Sequence, residues 1–169
     1  MININCLYKS IIVFGALFFV NYFNGQEVFI QGGGTLSDWA NLSKYSSDNM
    51  KLKNSSSKIK VVFMGNSITE SWSSFDSNFF LSNSYINRGI SGQTTPQMLV
   101  RIKPDVINLK PQAVVILAGI NDIAGNTGPM EIKNIAENIQ SMAEISKVNG
   151  INVLICSVLP AIDFPWSPG

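Results

Sequence analysis

Short apolar runs rich in β-branched residues set the limits on what this chain can fold into. Ile59–Met64 ends at Gly65, Ala113–Ala118 ends at Gly119, and Ile151–Val158 stops before Pro160. A weaker run of the same kind spans Ser84–Asn87. Each is too short for a globular helix, and each is bounded by turn-forming residues, so each reads as a buried strand. The segments between them have helical period. Thr94–Ile102 turns Met98, Leu99 and Ile102 toward a core. Pro129–Asn149 carries Ile132, Ile135, Ile139 and Met142 on one stripe, with Ala136 and Ala143 beside it. Pro129 suits a first helical position and Gly150 a C-terminal cap. Strands alternating with helices predict β-α-β units in a three-layer α/β/α arrangement around a mainly parallel sheet. Such sheets place their chemistry in the loops at the carboxyl ends of their strands.

The chain ahead of the first strand has another character. Lys9 precedes the apolar stretch Ile11–Val20, the polar run Asn21–Gln26 follows, and Gly25 supplies a small residue. The pattern predicts a secretory signal peptide over residues 1–25 and export to the periplasm or beyond. A membrane-spanning helix needs ~20 apolar residues, so no stable membrane span is expected after cleavage. Cys6 lies before the apolar stretch, not after it. Cleavage would leave Cys156 without a partner, and its apolar setting reads as that of a small core residue. Residues 26–58 form a lead-in, and residues 59–169 the α/β domain. Within the lead-in, Gln31–Thr35 is glycine-rich and reads as a flexible approach in preference to a phosphate cradle. Ser37 or Asp38 is placed to cap a short helix through Met50, with Trp39, Leu42 and Tyr45 at helical spacing. Residues 53–58 read as a polar loop.

Composition narrows the function. Lys and Arg number 12 against 11 Asp and Glu, and the cations are scattered, which gives no electrostatic basis for nucleic-acid binding. There is no His in the 169 residues and there are only two Cys, which argues against a metal site or haem. The chain has no Gly-x-x-x-x-Gly-Lys-Ser/Thr loop for a nucleotide, and no cofactor is expected.

Three strand-end loops carry the candidate chemistry. Gly65-Asn66-Ser67-Ile68 follows the first strand, placing a serine at a helix start, where hydroxyl and backbone N–H face the cleft. Ile90-Ser91-Gly92-Gln93-Thr94 follows the second, and Gly92 lets a ligand approach an unhindered N–H. Gly119-Ile120-Asn121-Asp122 follows the third, with Asn121 as an amide donor and Asp122 as a loop-bracing residue. Taken singly, these are an N-cap serine, a turn glycine and an Asx turn. Their order and placement together resemble the SGNH hydrolases, the G-D-S-L type esterases and lipases, from about Asp38 to the end of the chain. Leu159-Pro160, closing the fourth strand, fits the same pattern.

The resemblance implies a flavodoxin-like sheet and a serine ester hydrolase acting on a small-molecule acyl, carbohydrate or lipid ester. Ser67 would be the nucleophile. The N–H groups of Ser67 and Gly92 and the Asn121 side chain would hold the oxyanion. Trp72 and Phe75 follow the nucleophile loop and are candidate pocket residues, with core packing the favoured reading for both; Phe164-Pro165-Trp166 is a candidate cleft wall. Short acyl groups are preferred over long ones.

Three departures stand out. Asn66 replaces the family's Asp and keeps one acceptor oxygen, while Ile68 replaces Leu at similar volume. The third is the Asp-x-x-His block that supplies the family's acid and base, which the sequence does not contain. Asp163 has no His three residues on. The expectation is therefore an incomplete member lacking the last strand and helix, with strand 151–158 as an exposed apolar edge and little or no activity in these 169 residues. The alternative function is a catalytically dead module that binds acylated sugars or lipids. A flavodoxin-like flavin or nucleotide binder ranks behind both.

Overall fold

The computed structural model describes residues 29–161 and residue 164. The expected signal segment, Cys6, Asp163, Pro165 and Trp166 lie outside the described residues. Strands β1 (Phe29–Ile30) and β2 (Gly34–Thr35) form a small antiparallel hairpin. Helix α1 (Ser46–Asn54) leads into β3 (Val61–Gly65), and α2 (Ser67–Phe75) and α3 (Ser77–Asn83) lead to β4 (Tyr85–Gly89). Next come α4 (Thr95–Asp105), a 3-10 turn (Ile107–Leu109), β5 (Ala113–Leu117), the short α5 (Ile120–Ile123), α6 (Ile132–Val148) and β6 (Asn152–Ile155). The four long strands form one parallel sheet in the order β4-β3-β5-β6, the β-α-β arrangement expected from the alternation.

Alternation along the strands divides the core in two. Val62, Met64, Val114 and Ile116 are fully buried on one face, packed with Met98, Ile102, Val106 and Met142. Phe63 points to the opposite face. There it meets the rings of Trp72, Phe79, Phe80 and Tyr85 at centroid distances of 5.3–5.8 Å, mostly edge to face.

The lead-in differs from expectation. The glycine-rich turn is fitted, not loose: a Cβ on Gly32 would lie 2.7 Å from Gln97 Oε1, and one on Gly34 2.3 Å from the Trp39 carbonyl oxygen. Asp38 does not open a helix. Its carboxylate accepts from Leu42 N (2.7 Å) and Ser43 N (2.9 Å), Asn41 takes a positive φ of 54°, and the segment winds through turns. The helix begins only at Ser46 and runs into the stretch expected as loop. Pro129 lies ahead of α6, which starts at Ile132 after Glu131 in extended conformation. Gly150 behaves as expected, taking a φ of +74° and donating to the Lys147 carbonyl. Along α6, Ile135, Met142 and Ala143 are buried, whereas Ile132 stands in solvent. Cys156 is exposed, not a core residue, because it follows β6, whose one partner among the described strands is β5. Leu154 and Ile155 are more than half exposed on the same strand.

A buried polar network lies beneath the β4–α4 connection. Arg101 and Asp105, a turn apart on α4, form a fully buried ion pair. Arg101 also donates Nε to Gln93 Oε1 (2.7 Å) and a terminal nitrogen to the Arg88 carbonyl (3.2 Å). Asn49 donates to the second Asp105 oxygen (2.6 Å) and accepts from Arg88 Nε (3.0 Å). Burial lowers the Arg101 pKa, and the adjacent Asp105 opposes that shift. Removing one partner from a buried pair leaves an uncompensated charge, so Asp105→Ala is expected to destabilise the fold by about 3–5 kcal/mol in urea unfolding. In hydrogen exchange on the monomer, the amides of β6 are expected to exchange well before those of β3.

Candidate functional site

Strand register brings the three loops to one place. Gly65 pairs with Gly89 on one side and with Leu117 on the other, so β3, β4 and β5 end level. Neighbouring strands sit about 4.8 Å apart. Ser67 lies two residues past its strand end, Gly92 three and Asn121 four, and the three leave the same edge of the sheet. The close approach depends on two glycines. A Cβ on Gly65 would lie 2.1 Å from Thr69 Oγ1, and one on Gly89 would lie 2.2 Å from the Glu70 amide nitrogen. The first turn of α2 thus rests directly on the β4 end.

Ser67 opens α2 as its first residue, and Asn66 caps the helix by accepting from Ile68 N at 3.0 Å. Asn66 is buried, and its amide oxygen does what a capping carboxylate oxygen would do. The Ser67 hydroxyl has no hydrogen-bond partner among the described residues. Its backbone N–H is one of the donors a helix start leaves without an intrahelical acceptor.

Gly92 has a φ of +78° and packs against Gly32, where a Cβ would meet the Gly32 nitrogen at 3.0 Å. Its carbonyl accepts from Asn126 Nδ2 (3.0 Å), while its N–H has no acceptor among the described residues. Asn121 is buried and donates Nδ2 to the Gln93 carbonyl at 2.9 Å, which fixes the amide and leaves its second hydrogen available. Asp122 acts as a brace: its carboxylate accepts from Thr95 N (2.9 and 3.0 Å) and Thr95 Oγ1 (2.6 Å), tying the β5 loop to the start of α4. Burial raises its pKa, and the Thr95 bonds offset part of that rise.

Trp72 and Phe75 are not both core residues. Trp72 stacks on Phe79 at 4.6 Å but is 38% exposed, and Phe75 is 87% exposed. With Ser67, Ile68 and Ser71 they line an open, mainly apolar groove of about 430 Å³. On the other side of Ile68, Asn66, Leu117, Ala118, Val158, Leu159 and Phe164 line a second apolar cavity of about 490 Å³. Among the described residues there is no cluster of His, Cys, Asp and Glu able to hold a metal ion.

Sequence reasoning passed over Gln93, Gln97 and Glu70. Gln93 donates to the Ala40 carbonyl (2.8 Å), and Gln97 to those of Gln31 and Trp39 (3.1 Å each). Glu70 pairs with Lys44 and accepts from Ser91 N (2.6 Å) and Ser91 Oγ (2.5 Å). Glu70 lies three residues past Ser67 in the first helical turn, the one signal that could have drawn attention to it.

Three level strand ends bring a serine and two donor loops to the carboxyl edge of a parallel α/β sheet. The chain belongs to the GDSL-like lipase/acylhydrolase family, whose model matches residues 63–169. A Bacteroides fragilis structure described as an acylhydrolase is 52% identical, with a TM-score of 0.74 over 78% of this chain and 64% of that one. A GDSL-like lipase from Bacteroides thetaiotaomicron is 50% identical, with a TM-score of 0.72 over 76% and 63%. The uncharacterized lipoprotein YqeF of Bacillus subtilis is 33% identical over 81 residues, which are 46% of this chain and 33% of that protein. The chain therefore spans about a third of that relative and less than two thirds of each of the two structures.

Substituting Gly89 by Ala forces α2 away from the β4 end. It is expected to cost at least about 1–3 kcal/mol, read as a lower midpoint in urea.

Proposed function

We propose that this protein carries the nucleophile and oxyanion donors of a serine ester hydrolase. The observation that carries the reading is that the Ser67 hydroxyl and the Gly92 N–H, at adjacent strand ends, both lack an internal partner among the described residues. Both groups are partly exposed, so a ligand entering the cleft can take the place of water at them.

The chemistry follows from the groups. The Ser67 oxygen attacks the carbonyl carbon of an ester, and the carbonyl electron pair moves onto oxygen. The N–H groups of Ser67 and Gly92 and the free amide hydrogen of Asn121 receive that oxyanion. Collapse breaks the bond to the alkoxy oxygen, which receives the proton the base took from Ser67 and leaves as the alcohol; water then adds to the acyl-serine, and its proton returns to the Ser67 oxygen as the acid departs. The apolar groove beside Trp72 and Phe75 would take the acyl group, with short acyl chains preferred. Attack requires a base to remove the serine proton, and these 169 residues include no His. A serine without its base keeps only a residual ~10³–10⁴-fold advantage over water, from the oxyanion hole and binding.

The test is a p-nitrophenyl ester series of increasing acyl length. A polypeptide of these 169 residues is expected to show little or no Ser67-dependent turnover. A form extended by an Asp-x-x-His segment is expected to gain it, fastest with acetyl, and to lose it on Ser67→Ala. Full Ser67-dependent turnover by the 169 residues alone would overturn the need for that base. If the extended form binds acylated sugars without hydrolysing them, the reading of a binding module replaces that of an enzyme.

We also propose export. Support comes from the Lys9 and Ile11–Val20 pattern, and a B. subtilis relative is named a lipoprotein. N-terminal sequencing of the protein recovered outside the cytoplasm is expected to begin near Gln26; recovery only from the cytoplasm would overturn this.

A further inference from the structure

The loop that carries Gly92 is held at its two ends by different means. On the α4 side it is anchored by Gln93 and the buried network. On the β4 side, Ser91 is exposed, and its backbone N–H and hydroxyl both donate to a single oxygen of Glu70. Glu70 sits on α2, one turn past Ser67, with its amide against Gly89 and its other oxygen on Lys44. The strut therefore joins the helix that presents the nucleophile to the residue immediately before the oxyanion glycine. On the β4 side Ile90 is buried and donates its N–H to the Gly65 carbonyl (3.0 Å), and Glu70 then holds Ser91 by both its N–H and its hydroxyl, one peptide ahead of the Gly92 N–H.

We propose that Glu70 is a positioning residue: its carboxylate, braced by Lys44, sets the orientation of the Ser91–Gly92 peptide relative to Ser67 and so aims the Gly92 N–H into the oxyanion site. The proposal rests on the reading of Gly92 as an oxyanion donor. An oxyanion hole works because its donors are fixed before charge develops, and the charge-assisted bonds from the Ser91 N–H (2.6 Å) and hydroxyl (2.5 Å) fix the residue whose φ and ψ set the direction of the Gly92 N–H.

Three groups on neighbouring elements face this carboxylate. Lys44 and Tyr45 come from the turns before α1, and Ser91 from the β4–α4 loop. Tyr45 donates its hydroxyl to the Gly89 carbonyl (2.5 Å) and packs under the Arg88 guanidinium at 4.5 Å. Burial first, then the Glu70 charge, pushes its pKa up to about 12, so it stays neutral and does not titrate with Glu70. Burial on its own would raise the Glu70 pKa. The bonds from Lys44 and from the Ser91 hydroxyl and amide outweigh it and hold the carboxyl below its ordinary value of 4.5. A depressed acid is ionised, and the strut intact, at and above the ordinary value. The strut is lost only as pH falls through the lower folded value.

The experiment follows amide resonances of the isotope-labelled 169-residue chain during acid titration, with Glu70→Gln as the comparison. The Ser91 amide is expected far downfield and moving upfield as pH falls, with a midpoint below 4.5, the ordinary value for the group. The Gly92 amide is expected to follow with the same midpoint, and both are expected to stay flat in Glu70→Gln. If Gly92 titrates alike in the two proteins, or does not move in either, the proposal is overturned. The second arm uses the catalytically complete form. There Glu70→Gln should lower kcat about tenfold or more with KM and Tm little changed, while Ser91→Ala, which keeps the amide bond, falls less. A kcat within about twofold of the parent overturns the proposal. The resonance arm needs no turnover, so failure of the hydrolase reading leaves it standing and is told apart from failure of the strut.

Discussion

The ion pair between Arg101 and Asp105 is the constraint around which the rest of the structure is arranged. Both groups are buried, and a buried pair is tolerable only when its remaining donors and acceptors are also satisfied. Gln93, Asn49 and the Arg88 carbonyl meet that requirement, and no described buried side-chain polar atom is left without a partner. Satisfying the pair recruits α1 through Asn49, β4 through Arg88, and the β4–α4 loop through Gln93. Gln93 and Gln97 then reach back to the hairpin and turns before α1. The lead-in is therefore part of the site's foundation: it supplies the wall against which Gly92 packs.

Two kinds of precision meet at the cleft. Backbone register gives the coarse one, because three level strand ends bring three loops together whatever their side chains. Gly65 and Gly89 give the fine one, because only a missing Cβ lets the first turn of α2 settle onto the strand ends. The functional groups are then oriented from behind: Asn66 caps α2, the Gln93 carbonyl holds Asn121, and Asp122 joins the β5 loop to α4 through Thr95. Such support suits the proposed oxyanion hole, since one that must reorganise during the reaction forfeits its advantage.

The sheet and the three loops were legible in the sequence because their signals are local. Apolar period, strand length and glycine at a strand end are all read within a few residues of one another. What was not legible depends on partners far along the chain. Asp38 looks like a helix cap until its carboxylate is seen closing a turn onto Leu42 and Ser43. Gly32 and Gly34 look loose until Gln97 and the Trp39 carbonyl are found against them, the former from 65 residues away. Arg101 and Asp105 show the i, i+4 spacing of a solvated helix pair, and only tertiary packing buries them. Cys156 and Phe75 differ from expectation in the opposite direction: both were read as packed, while Cys156 follows a strand with one partner among the described strands and Phe75 lines an open groove.

The same arrangement restricts how a proton can leave Ser67. Toward β4, the cleft is closed by Gly89 packed on Glu70, by the Glu70–Ser91 strut and by the hairpin seated on Gly92. Toward the core it is closed by the Asn121–Gln93 bond and by Asp122, whose carboxylate cannot turn to the serine without giving up its bonds from Thr95 N and Oγ1 at the start of α4. The remaining approach runs past Ile68, where both apolar cavities open, and toward the segment after β6 that lines one of them. In the proposed hydrolase, a base for Ser67 would enter from there, opposite the proposed oxyanion donors. That separation keeps the positive end of α2 on the proposed oxyanion side, where it would favour developing negative charge, while the Lys44 charge is offset by Glu70. It also leaves the base side apolar, a setting in which an uncharged proton acceptor is favoured over a charged one.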